Sequence, residues 1–322
     1  MNYKPIIIVA GEPNSIFLEI FLKVFKKKKF KSPIILIASL KLLKLQMSYL
    51  GSYKKIRLLE ITKLKQYKLD NKFINLVNVE YNTKKAFEKI SSKSNIYIEN
   101  SFKTGLQILR SGITKKFING PISKKFFLKK KFLGITEYLA HYLNIKKFAM
   151  LIYNDELSVC PVTTHLPLKY VSKKISKKKI REKIILINNF FIKNMKFKPK
   201  LAITGLNPHC ESIDKFDEDL KIIKPLVDNL KKQKYRIDGP FPADTIFLKK
   251  NRKKINVVVG MYHDQVLTPI KTIYEHNAIN ITLGLPFVRV SPDHGPNERM
   301  IGKNLSNPVS LISSINFLES LK

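Results

Sequence analysis

Short apolar, β-branched runs alternate with longer amphipathic stretches along this chain. That rhythm predicts a parallel sheet whose strands are joined by crossover helices. Strands are expected over 6–10, 33–38, 116–118, 149–153, 157–163, 201–204, 255–260 and 279–283. Helices are expected over 16–25, 100–110, 179–193, 217–231 and 307–321. The longest clean apolar runs, such as 33–40, fall far short of the ~20 residues a membrane span needs. The opening MetAsnTyrLysProIleIleIleValAla has too short an apolar stretch for a signal-peptide core and reads as a first strand.

Composition changes this picture little. A length of 322 residues holds one large α/β unit or two modest domains, and no repeat or low-complexity linker marks a boundary. Hydrophobic residues make up 44%, which supports a buried core rather than disorder. Cys160 and Cys210 are too few for a disulfide framework and fit a reducing, cytoplasmic setting.

The formal net charge is +36, but only seven of the 60 basic residues are arginine, and the lysines are spread along the whole chain. Nucleic-acid grooves favour clustered, bidentate arginine. The excess reads as a drift toward AT-rich codons expressed on solvated faces, and it argues against a specific nucleic-acid partner. The field still attracts polyanions weakly, and it suits a small phosphorylated substrate.

Three of the six histidines follow the carboxyl end of an expected strand by a few residues: His165, His209 and His263. In open α/β sheets ligands bind outside the carboxyl ends of the strands. Neutral imidazole is a common metal ligand, and three of them with an open position make a catalytic site. A lone loop histidine is more often a surface or hydrogen-bonded residue, and the separations of 44 and 54 residues match no short metal motif. Spacing alone leaves both readings open.

The words around these histidines carry more. ThrThrHisLeuProLeu (163–168), GlyLeuAsnProHis (205–209), GlyProPheProAlaAspThr (239–245), MetTyrHisAspGln (261–265) and ThrLeuGlyLeuProPhe (282–287) resemble the 4-hydroxythreonine-4-phosphate dehydrogenase family of vitamin B6 biosynthesis. AsnGlyProIleSerLys (119–124) and AspHisGly (293–295) do so too, and the likeness runs over essentially the whole chain in the family's order.

The resemblance implies an α/β fold like that of the isocitrate and isopropylmalate dehydrogenases, with two α/β/α subdomains around a cleft. Residues 1–322 would then form one dehydrogenase-like unit of two interleaved subdomains, whose boundaries the sequence does not mark. It also implies a homodimer with a shared active site. The family's metal histidines fall on His165, His209 and His263, which would hold one divalent ion (Zn²⁺, Mg²⁺ or Co²⁺). Its substrate contacts fall on Thr136, Lys271, Asn280 and Arg289. The implied reaction is NAD- or NADP-linked oxidation of 4-phosphooxy-L-threonine, whose 3-oxo product loses carbon dioxide to give 3-amino-2-oxopropyl phosphate. A metal lowers the pKa of the substrate hydroxyl, and the nicotinamide takes the hydride.

The residue types suit these roles unequally. Arg289 follows LeuGlyLeuProPheVal, read as a strand end, and is one of only seven arginines, so a mere surface charge is disfavoured. Lys271 is one of 53 lysines, and only the resemblance singles it out. Asn280 can orient a substrate oxygen or simply cap a turn. Asp264 and Asp244 are candidates to orient imidazoles, with helix capping the alternative. Glu12 follows the first strand and is either a cleft residue or a turn residue. Cys210, beside His209, reads as a free thiol. No GlyXGlyXXGly occurs, so a Rossmann nucleotide site has no support. In the wider isocitrate-dehydrogenase-like group the segment after a His-Gly pair lies near the nucleotide, which here points to His294 and Gly295. The general acid or base is not identified.

Two departures stand out. Ile135 occupies the place of a family histidine, which removes a hydrogen-bond donor. Ser15 and Phe17 replace glycines in the first loop, so that loop is expected to be bulkier. Either change fits a sibling oxidative decarboxylase acting on another phosphorylated or carboxylated hydroxy acid, such as 4-phosphoerythronate. A non-catalytic nucleic-acid-binding protein is the remote alternative, and the three histidines with Lys271, Asn280 and Arg289 argue against it.

Overall fold

The computed structural model describes residues 3–129, 131–214, 216–275, 277–292 and 294–321. Asp293 of the AspHisGly word and His276 lie outside the described residues, as does the side chain of Lys27. The chain divides into two compact units, Met1–Leu139 with Pro286–Lys322, and Ala140–Leu285.

Among the described residues twelve strands run in chain order: β1 Ile6–Val9, β2 Ile34–Ala38, β3 Ile56–Leu58, β4 Ile74–Asn78, β5 Lys116–Asn119, β6 Ala149–Tyr153, β7 Ser158–Pro161, β8 Leu201–Thr204, β9 Ile237–Phe241, β10 Val257–Gly260, β11 Ile279–Leu283 and β12 Val288–Pro292.

In the first unit the strand order is β3-β4-β2-β1-β5-β12, and every pairing is parallel. β1 and β2 are unbroken apolar runs because both faces are covered. Helix Asn95–Arg110 packs on β1 and β2, and helix Val309–Ser320 packs on β5 and β12. Helix Phe17–Lys27 leads away from β1 and buries Phe17, Ile20, Phe21 and Val24.

In the second unit the order is β11-β6-β7-β10-β8-β9. Here β7, β10, β8 and β9 are parallel, whereas β6 runs antiparallel to both β11 and β7. The expectation of a wholly parallel sheet is corrected at this strand. β6 and β7 are separated by four residues, which allows a hairpin and not a crossover helix. Beneath these strands Ile152, Val159, Val258, Val266 and Ile270 share one apolar cluster. Helix His263–Tyr274 packs on β7 and β10. It is absent from the elements expected above because Pro269 interrupts its pattern.

One site residue is also placed differently. Arg289 is not beyond a strand end but inside β12, in register with Phe117 of β5. The strand expected over 279–283 ends as expected, and after Gly284, at φ +94°, and Pro286 the chain starts a further strand at Val288 that was not expected.

Candidate active site

In the first unit, β12 carries Arg289 into the interior, where the side chain is fully buried. Its Nε donates to Asn119 Oδ1 at 2.6 Å, and its Nη1 donates to Thr136 Oγ1 at 3.2 Å. Asn119 ends β5 and donates in turn to the Gly120 carbonyl at 2.8 Å. Burial pushes the guanidinium down to about 9, against which the nearby Glu137 carboxylate pulls it up; it remains a cation at neutral pH. A buried, oriented guanidinium is suited to a phosphate or carboxylate. Asn119 escaped the sequence reading as a site residue, although its place in AsnGlyProIleSerLys was a signal.

The first loop, 11–16, is buried throughout. Ser15 and the adjoining Phe17, which stand where glycines were expected, are buried rather than protruding. Ser15 donates its hydroxyl to the Glu12 carbonyl at 2.7 Å and accepts from the Phe17 amide at 3.3 Å. The Phe17 ring lies beside Gly120, where a Cβ would sit only 2.8 Å from it and 2.1 Å from the Ala10 carbonyl. Glu12 accepts from the Asn14 amide at 3.2 Å and from the Ser94 hydroxyl at 3.0 Å. Burial outweighs these bonds and raises its carboxyl to about 7.

His294 faces Phe17, with ring centroids 6.3 Å apart. Its Nε2 is buried and has no hydrogen-bond partner among the described residues. Burial pushes the imidazole below its ordinary value. A Cβ at Gly295 would meet open space, so packing does not demand glycine there. The segment that follows borders a cavity of about 520 Å³, in which Glu298 and Ile301 face Lys85, Phe87 and Lys89.

In the second unit each of the three histidines lies beyond a strand's carboxyl end. His165 is half-buried after β7, and His263 opens the helix after β10. Their ring centroids are 5.5 Å apart. Two imidazoles on one tetrahedral ion, with metal–nitrogen bonds of about 2.1 Å, put their centroids roughly 5 Å apart, so this pair fits a shared ion. His263 Nδ1 meets Asp264 Oδ1 at 2.7 Å, an arrangement in which Nε2 is the ring nitrogen that could face an ion. His209 is exposed, in a loop after β8 where both His209 (φ +57°) and Cys210 (φ +65°) adopt the left-handed region. Holding two consecutive side-chain-bearing residues there costs about 1–2 kcal/mol each. No group of three metal-ligating side chains comes together among the described residues of one chain. Asp244 is exposed after β9. Burial and the neighbouring Asp219 and Asp244 carboxylates push the Cys210 thiol up, away from the thiolate that metals need.

Lys271 lies on the helix that His263 opens, and burial lowers its ammonium below the ordinary value. Asn280 lies on β11 in register with Ile152. Its Oδ1 is buried with no hydrogen-bond partner among the described residues, an arrangement that suits an incoming donor.

Comparison with known proteins agrees with the family resemblance read from the sequence. The family model described as pyridoxal phosphate biosynthetic protein PdxA matches residues 29–318. The chain is 35% identical over 325 residues to 4-hydroxythreonine-4-phosphate dehydrogenase from Sulfurihydrogenibium sp. (strain YO3AOP1), covering 98% of this chain and 97% of that one. It is 28% identical over 302 residues to D-threonate 4-phosphate dehydrogenase from Salmonella typhimurium, covering 92% of each. The crystal structure of 4-hydroxythreonine-4-phosphate dehydrogenase from Klebsiella pneumoniae superposes with a TM-score of 0.85 at 24% identity, covering 98% of both chains. Isocitrate dehydrogenase from Methylococcus capsulatus shares the fold alone, with a TM-score of 0.50 at 10% identity over 96% of this chain and 83% of that one.

Proposed function

The chain belongs to the PdxA family of pyridoxal phosphate biosynthetic proteins, and we propose that it oxidises 4-phosphooxy-L-threonine with NAD or NADP. The secondary hydroxyl carbon gives a hydride to the nicotinamide and its oxygen loses a proton. The 3-oxo acid then releases carbon dioxide, leaving 3-amino-2-oxopropyl phosphate. The observation that carries this reading is the buried Arg289 guanidinium, held by Asn119 and Thr136.

Arg289 and Lys271 bind the anionic ends of the substrate, Thr136 presents its hydroxyl beside the guanidinium, and Asn280 Oδ1 accepts from a substrate donor. His165, His209 and His263 hold one divalent ion, for which the paired His165 and His263 rings are spaced. When bound, such an ion would supply a Lewis acid that lowers the pKa of the substrate hydroxyl and stabilises negative charge on the neighbouring oxygen. His294 and Gly295 lie at the start of the segment that borders the 520 Å³ cavity, and that segment takes the dinucleotide.

The active enzyme is a homodimer in which His209 of one subunit completes the histidine pair of the other. His209 is exposed, and Ile213 and Phe216, a few residues further along the chain, present apolar surface that a second copy would cover. No described helix is long and apolar enough to cross a membrane, which accords with a cytoplasmic enzyme.

A second reading is supported by the D-threonate 4-phosphate dehydrogenase relative and by Ile135. In it, the same chemistry acts on a phosphorylated hydroxy acid without the amino group. NADH formation decides between the two. Purified protein with Mg²⁺, Zn²⁺ or Co²⁺ should reduce NAD with 4-phosphooxy-L-threonine. Turnover of D-threonate 4-phosphate or 4-phosphoerythronate with none on the amino acid would replace the first reading by the second.

A further inference from the structure

The loop that carries His209 has two residues in the left-handed region, and two carboxylates outside the histidine set hold it on either side. Asp219 is fully buried. Its Oδ1 accepts from the Leu206 amide at 2.7 Å, and its Oδ2 accepts from both the Asn207 amide and Asn207 Nδ2 at 3.0 Å. This fixes the limb that leaves β8. Asp217 fixes the returning limb: its Oδ2 accepts from the Ser212 amide at 3.0 Å, while its Oδ1 accepts from the Asp219 amide at 2.8 Å. Between the two clamps stand His209 and Cys210 with left-handed backbones. Gly205 makes room for the clamp, since a Cβ there would lie 2.7 Å from Asp219 Oδ1.

Gln265 joins the neighbouring strand ends. Its Oε1 accepts from the Thr204 hydroxyl at 2.8 Å and from the Met261 amide at 2.7 Å, and its Nε2 donates to the Gly205 carbonyl at 2.7 Å. The Met261 carbonyl in turn accepts from the amide of Thr163, at 3.1 Å, and from its hydroxyl, at 2.8 Å. One hydrogen-bonded line therefore runs across the ends of β7, β10 and β8, two or more residues before His165, His263 and His209.

We infer that Asp219 and Gln265 are positioning residues: they set the spacing and aim of the three histidine-bearing segments without touching the ion. The inference rests on the histidine reading given above. Oriented ligands bind a metal more tightly because less order is lost on binding, and removing supporting residues typically costs 10–100-fold in affinity. Asp219→Asn would turn an amide NH₂ toward N–H donors, and Gln265→Met would sever Met261 from Thr204 and Gly205 at similar volume.

The test is a Co²⁺ titration of the full-length dimer, followed by the visible absorption of the bound ion and by inorganic phosphate binding at the Arg289 pocket. Both variants should bind Co²⁺ about 10–100-fold more weakly with an altered visible spectrum, while phosphate affinity stays within about twofold. Asp219→Glu, which keeps an acceptor, should recover part of the loss. Should Asp219→Asn fail to fold, Gln265→Met carries the test. Wild-type Co²⁺ affinity and spectrum in a folded Gln265→Met variant would overturn the inference while leaving the histidine reading intact. A wild-type protein that binds no Co²⁺ would overturn both.

Discussion

The guanidinium pocket of the first unit and the histidine loops of the second are built by different means. Arg289 and Asn119 sit on adjacent parallel strands, so the register of β12 against β5 brings them together at 2.6 Å within one chain. The histidines sit on loops past their strand ends. There the sheet fixes only the starting point of each loop, and side chains such as Asp219 and Gln265 must fix the rest. Of the three, only His165 and His263 approach each other. In the proposed reading, anion binding would thus be a property of the folded subunit and metal binding a property of the assembled pair.

Experiments can break or sharpen this contrast. The largest effect is expected at Arg289. Arg289→Met should lower kcat/KM by about 10³-fold or more, since a buried charged partner is lost. Metal affinity should change little, and an equal loss of metal binding would show that the two regions are not independent. Arg289→Lys should recover little of the activity, because a lysine has no planar fork to reach Asn119 and Thr136 together.

Glu12 gives the next effect, on stability. Burial raises its carboxyl from 4.5 to about 7, so the native state keeps a proton that the unfolded chain gives up. Its favourable share is full below about pH 4.5 and is lost as pH rises through 7. Glu12→Gln should therefore flatten this dependence and stabilise the protein at pH 8 by up to about 3 kcal/mol. Melting temperatures at pH 5 and pH 8 test this, and a variant as pH-sensitive as the parent would place the titration elsewhere. The smallest effect is at Ile135. Ile135→His should restore a donor and lower the KM for the phosphorylated substrate by up to about tenfold, leaving kcat and metal affinity alone.

The sequence made the strands legible where apolar runs are short and bounded. Residues 149–153, 201–204 and 279–283 are strands at the expected limits. It did not make strand direction legible, because an alternating or continuous apolar run reads the same both ways, and so β6 was expected to be parallel. β3 has no fully buried residue, so it carries no hydrophobic signature to find. Thr136 and Arg289 were identified through their words, and the structure joins them by a hydrogen bond. Asn119, Asp219 and Gln265 were missed as site residues. A buried polar side chain declares its purpose only through the partners that folding brings to it, and two of those of Gln265, Thr204 and Gly205, lie 61 and 60 residues away in the chain.

The shared metal site is tested most directly by subunit complementation. His209→Ala and His263→Ala homodimers should each be nearly inactive. Mixed, unfolded and refolded together, half of the dimers are heterodimers, and each heterodimer has one site with all three histidines intact. About a quarter of wild-type NADH-forming activity should then be recovered, with metal bound in proportion. If one chain supplied all three ligands, every site in the mixture would lack a histidine, and activity that stays at the level of the unmixed variants would contradict the account.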